Sequence, residues 1–298
     1  MELYQDHFEI VIDFDKGRGD PARVFKAMTG LVESFQSLDE HLLGAIDRGL
    51  DAKVVLDDVE AGSIKAVLRA IVSDVPDEAL KNGDWKRILG HYLLKSKYLI
   101  LEWCKDRSEV VTKESVDALE VQLEREAAKT DIKLLPAYGR VPTESLLRDV
   151  QGIQSALGLL DDADKAFYVS DAGRVALNAR LELSPELVRD ILTSEVVHSH
   201  VLTTVLVKKP DYLGRSQWSF QFQGHKIEAS IRDKEWLGRF QARLLDVRPG
   251  DSLKVDLAQE TFYGYIGQIV HRLYSIDQVI EVIRPPSWGQ ADAFDADI

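Results

Sequence analysis

Cysteine is all but missing from this sequence. Cys104 is the sole one in 298 residues, which rules out an internal disulfide and leaves a thiolate metal cage short of ligands, so a reducing cytoplasm is the expected compartment. Basic charge is also in deficit. Lys and Arg number 37 against 50 Asp and Glu, a net charge of -13, and such a surface repels a nucleic-acid backbone or an anionic lipid unless the basic residues cluster. Long apolar runs are absent too. The most apolar stretch, Ile88 to Cys104, is broken by Lys95, Lys97 and Glu102. Its uncharged runs fall well short of the ~18 to 20 residues that cross a bilayer, so it reads as a buried helix and no membrane span is expected. Met1 to Asp6 carry neither the positive nor the apolar region of a secretory signal, so export is not expected. Internal repeats, low-complexity tracts, phosphate loops and cofactor fingerprints are missing as well.

What is present is an ordinary globular composition, 45% hydrophobic and 29% charged, over a length that suits two or three domains. Phe8 to Phe14 alternates as a strand and ends in the turn residues Asp15 to Gly19. Asp20 and Pro21 then open a long helix whose apolar residues, from Val24 through Leu31, Phe35 and Leu42 to Ile46, recur at spacings of three and four. Lys53–Val59 and Ser63–Val72 predict a hairpin around Gly62, where positive φ favours glycine. A helix from Trp85 to Trp103 closes an α+β domain over 1–110. The region 111–195 reads as a mostly helical connector, with helices over Thr112–Lys129 and Leu146–Leu160, a second hairpin over Ala166–Asn178 and a short helix after Ser184 and Pro185. Over 196–284, five strand-like runs surround one helix, Trp236–Leu245, the pattern of a small β-barrel of the OB or SH3-like kind. The acidic stretch 285–298 reads as a mobile tail, with Trp288 as a candidate docking residue.

Four sets of residues carry chemistry. Asp13 and Asp15 form a D-x-D at a strand end, where two carboxylates could hold Mg²⁺ against a phosphate, and Asp57 and Asp58 would add to them if the strands were neighbours. The motif resembles the opening of haloacid-dehalogenase-type phosphatases, but Gly17 stands where that family has Thr or Val, and the alternating βα units of such a sheet are absent. The bland alternative, strand-end Asp residues capping a loop, is the expected one. Gly17, Arg18 and Gly19 offer amides to an anion, in competition with Asp20. His198 and His200, two apart on a strand, point the same way as zinc ligands do, with His225 or His271 as a third. Ser199 between them has no nucleophile elbow.

Trp218, Phe220, Arg232 and Trp236 are the candidate ligand-binding residues of the barrel, since single-stranded nucleic acid stacks on aromatics. Val196 to Arg284 holds 12 basic and 10 acidic residues, so the acidity lies elsewhere in the chain and does not bar such binding. The same spacing of aromatics also describes a barrel interior, which is the favoured reading. The stripes of the long first helix and of Thr112–Lys129 either pack internally, the default, or pair with another subunit as a homo-oligomer.

Val59 to Ile64 after the long helix, followed downstream by Trp218–Phe222, Ile231–Trp236 and Gly250–Val255, resembles uncharacterised bacterial proteins of mobile elements and phage-defence islands. The resemblance implies a setting, conflict with phages or plasmids, and no activity. The expected function is a non-enzymatic cytoplasmic recognition or assembly protein, a component of antiphage defence with a protein partner. The alternatives are nucleotide or single-stranded nucleic-acid binding through the barrel, and Mg²⁺-dependent phosphate transfer at Asp13 and Asp15. No cofactor other than Mg²⁺ is suggested.

Overall fold

Phe8, Ile10 and Ile12 alternate along the strand β1 (Asp6–Asp13) and are fully buried, while His7 and Asp13 on the other face are exposed. A strand patterned in this way belongs to a sheet covered on one side only. That sheet has five strands, and β1 lies at its centre in the order β2-β3-β1-β4-β5. Its other members are β2 (Asp51–Glu60), β3 (Ile64–Ser73), β4 (Lys165–Ser170) and β5 (Gly173–Ala176), and every pairing is antiparallel. The structure is a computed structural model and describes residues 6–17, 19–47, 49–60, 64–73, 85–105, 111–129, 140–178, 180–181, 183–212 and 216–285. The Gly62 turn and the acidic tail with Trp288 lie outside the described residues.

The chain forms two compact units, Met1–Ile191 and Leu192–Ile298. In the first, α1 (Ala22–Ile46) turns its stripe inward, and Leu31, Phe35, Leu38 and Leu42 are fully buried. Phe35 meets Phe8 of β1 edge-on and Tyr168 of β4. α1 packs closely on α4 (Thr143–Leu157), where Gly30 leaves room for Ala156, and α2 (Trp85–Lys105) packs on α3 (Lys113–Lys129). The α3 stripe, Val116, Leu119, Leu123 and Ala127, is buried as well. Both helical stripes are therefore spent inside the fold, which leaves neither for subunit pairing. The stretch 111–195, read as a connector, sends β4 back to pair with β1 from Phe8–Ser170 to Asp13–Lys165. It thereby shares the sheet of residues 6–73, and α5 (Pro185–Leu192) follows.

The helical layer contains charge. Lys97 of α2 and Asp39 of α1 are both fully buried and 3.0 Å apart, and the Lys97 ammonium lies 4.4 Å from the centre of the Phe8 ring. Burial pushes the Asp39 carboxyl above its ordinary value despite the pull of Lys97, and among the described residues its Oδ1 has no hydrogen-bond partner.

The second unit is a closed barrel of five strands in the order β10-β8-β7-β6-β9. They are β6 (Thr193–Lys209), β7 (Trp218–Phe222), β8 (His225–Ile231), β9 (Ser252–Gly264) and β10 (Ile269–Ile283), with α6 (Lys234–Gln241) between β8 and β9. All neighbours are antiparallel except β8 and β10, which run parallel. Gln223 and Gly224 both take positive φ, 49° and 83°, as a two-residue hairpin turn demands. Asp233 caps α6 by accepting from the Trp236 amide, and its other oxygen accepts from Val279 of β10, which fixes the helix to the wall. Fold class and barrel thus follow the pattern in the sequence.

Replacing one partner of the buried pair strands a charge, whereas replacing both with apolar residues does not. Lys97→Met is expected to lower stability by about 3–5 kcal/mol. Asp39→Leu together with Lys97→Met is expected to recover most of that loss, as read by urea unfolding.

Candidate functional site

The D-x-D loop is braced from within. Asp164, just before β4, accepts from Nε and Nη2 of Arg23, from the Asp15 amide at 3.1 Å and from the Asp161 amide. Burial alone would raise the Asp164 carboxyl, but these donors hold it below its ordinary value. The Asp13 carboxylate reaches Arg174 of β5 at 3.4 Å. Asp57 contacts Arg69 at 3.0 Å and His7 at 3.5 Å. β3 separates β2 from β1, and Asp58 sits opposite Val67, level with Glu9 rather than Asp13. The strand order therefore keeps Asp57 and Asp58 away from Asp13 and Asp15. Among the described residues, no three His, Cys, Asp or Glu side chains are grouped to hold a metal ion.

A cluster that the sequence reading missed joins α1 to α4. Asp149 accepts from Ser37 Oγ at 2.6 Å through one oxygen and contacts His41 Nδ1 at 2.8 Å through the other. Burial raises the Asp149 carboxyl above its ordinary value, while Ser37 and His41 pull the other way. Ser37 and His41 are one helical turn apart, a spacing visible in the sequence, but nothing local names their partner on a distant helix. A carboxylate between a hydroxyl and an imidazole is the wrong order for nucleophilic catalysis, in which the imidazole must face the hydroxyl. The cluster is a polar seam between helices.

In the barrel, Trp218, Phe220 and Trp236 belong to the core with Val205, Val207, Leu257 and Ile276. Trp218 is 2% exposed, stacks against Phe220 and meets Phe240 at a tilt, so a base cannot reach it. Arg232 is on the outside, paired with Glu260 at 3.1 Å and Asp277 at 3.5 Å. The four residues are therefore not one site. The outward face of β7 and β8 presents Gln221, Lys226, Glu228 and Ser230, with Lys226 bound to Glu228 at 2.8 Å and no aromatic among them.

The unusual surface lies along β6. This strand pairs with β9 along almost its whole length, from Thr193–Gly264 to Leu206–Ser252, but with the much shorter β7 only over Leu206–Lys209. Among the described residues, the ladder along Ser194 to Thr204 is filled on one side only. Its apolar side chains are exposed on both faces: Val197 41%, Val201 45%, Val196 38% and Leu202 69%. His198 and His200 share the face opposite Val205 and Val207, and His200 Nδ1 lies 3.7 Å from Asp256 and from Asp277. The one available signal in the sequence was the mismatch between a long first strand and a short second one. Family models, curated proteins and solved structures were each compared with the chain, and none matches it.

Truncating Trp218 removes core volume, so Trp218→Ala is expected to lose about 3–5 kcal/mol of stability in thermal or urea unfolding. The seam gives a pH test. With its folded value raised, the stability that Asp149 contributes is full below the ordinary 3.8 and is lost as pH rises through the folded value. Asp149→Asn abolishes that loss. The stability of the variant relative to wild type should accordingly climb with pH above 3.8, followed by urea unfolding across a pH series.

Proposed function

We propose that this chain is a recognition or assembly protein that acts through protein contacts made along the open edge of β6. The observation that carries the reading is the stretch Ser194–Thr204, a ladder with one side unfilled among the described residues and apolar residues on both faces. Unfilled edges invite a further strand, and soluble proteins ordinarily blunt them with Lys, Pro or a covering element. Here neither Lys nor Pro occurs between Thr193 and Thr204.

Within this reading the barrel is of the OB type, a five-stranded Greek-key barrel. Support comes from the parallel β8–β10 pair, the strand order and the single helix between β8 and β9. Ligands of such barrels lie on the second and third strands, where this chain offers Gln221, Lys226 and Glu228 and no stacking platform. Nucleic-acid binding therefore ranks below protein contact. A reducing cytoplasm suits the lone buried Cys104, and among the described residues no helix is long and apolar enough to cross a membrane. A role in defence against phages or plasmids rests on the sequence resemblance alone.

A photo-crosslinking residue placed at Leu202, and separately at Gln221, tests the reading in the producing cell. Protein adducts of discrete mass are expected from position 202 and none from position 221. Nuclease-sensitive adducts from position 221, with nothing from position 202, would replace it with nucleic-acid binding.

A further inference from the structure

We propose that the occupant of the β6 edge is a second copy of this chain, paired antiparallel about Ser199. The inference rests on the protein-contact reading of that edge and names the partner. Outward from Ser199 the sequence mirrors itself, with His198 and His200, then Val197 and Val201, then Val196 and Leu202. In an antiparallel ladder centred on Ser199, each residue faces the one equally far on the other side, so Ser meets Ser, His meets His, and Val meets Val or Leu. A slip of one residue in either direction sets Ser against His and His against Val, which register selection by side-chain pattern disfavours.

The position of the mirror is a separate observation. The mirrored residues run from Val196 to Leu202, and among the described residues the open length of β6 is Ser194–Thr204, since Leu206 is already paired with Gln221 of β7. The centre of the mirror thus falls at the middle of the unfilled edge. Charge agrees with this placement. Two chains of net charge -13 repel over most of their surfaces, but the sole carboxylate between Ser194 and Thr204 is Glu195, which would face Thr203. Like charges do not meet across the pair, and a two-fold axis leaves neither copy with an unfilled β6 edge to extend further.

Sedimentation velocity of the purified full chain across a concentration series is the test, with two double variants whose circular dichroism must match wild type. Wild type is expected to be a dimer. Val197→Glu with Val201→Glu sets Glu against Glu at both facing positions and is expected to be a monomer. Val197→Lys with Val201→Glu sets Lys against Glu and is expected to restore the dimer. A wild-type chain that stays monomeric at every concentration overturns self-pairing, and leaves the broader reading to the crosslinks at position 202. A dimer that survives two Glu substitutions lies elsewhere on the surface and overturns it equally. Loss of the dimer in both variants means another register or another strand, and overturns the pairing about Ser199. If the charged variants do not fold, Ser199→Cys replaces them. Oxidation by diamide, which accepts two electrons and two protons, should then join two copies into one species of doubled mass, while Thr203→Cys, facing Glu195, should not. Absence of doubling for Ser199→Cys overturns the proposal.

Discussion

Lys97 holds a positive charge in the middle of an apolar layer, and the N-terminal unit is arranged around that charge. Its ammonium has Asp39 on one side and the rings of Phe8 and Tyr168 on the other. A buried cation needs a nearby anion, and aromatic faces ease its desolvation. Meeting both needs brings α1, α2, β1 and β4 to one point, joining residues distant along the chain. The stacking of Phe8 on Tyr168 and the approach of Phe35 follow from the same convergence. The exposed face of the sheet is held differently, by cross-strand ion pairs such as Glu9 with Lys65 at 2.8 Å. Pairs of that kind contribute little to stability and more to register.

Much of this was legible in the sequence because local periodicity dictates it. The stripe from Val24 to Ile46 predicted α1, the alternation of Phe8, Ile10 and Ile12 predicted β1, and the spacing of strands after Val196 predicted a barrel around one helix. Topology was less visible. The return of β4 to pair with β1 depends on a contact that skips the whole helical stretch, and no local pattern carries that information. Lys97 read as an interruption in an apolar run, since its burial depends on Asp39, far away in the sequence.

The candidate residues divide along the same line. The spacing of Asp13 and Asp15 allowed a cation site but favoured a loop cap at the strand end. Asp164 and Arg174, which brace the loop and meet Asp13, come from elements that only the fold brings near. For Trp218 and Phe220 the spacing allowed a platform but favoured an interior, and the structure places both in the barrel core with Val205 and Val207. The exposed residues of β6 carry the strongest surface signal, but burial along a strand is decided by how far its neighbours extend, and Val196 reads in sequence much as Val205 does.

β6 is one unbroken strand that serves first as a free arm and then as barrel wall. Between Ser199 and Val205 it advances roughly 20 Å at about 3.3 Å per residue. It is stiffened throughout by β9, whose own far side is laced to β10. Such an arm acts as a ruler. Whatever is fastened at Ser199 is held at a set distance and twist from the barrel interior, and a tilt at one end is transmitted to the other without a hinge in between.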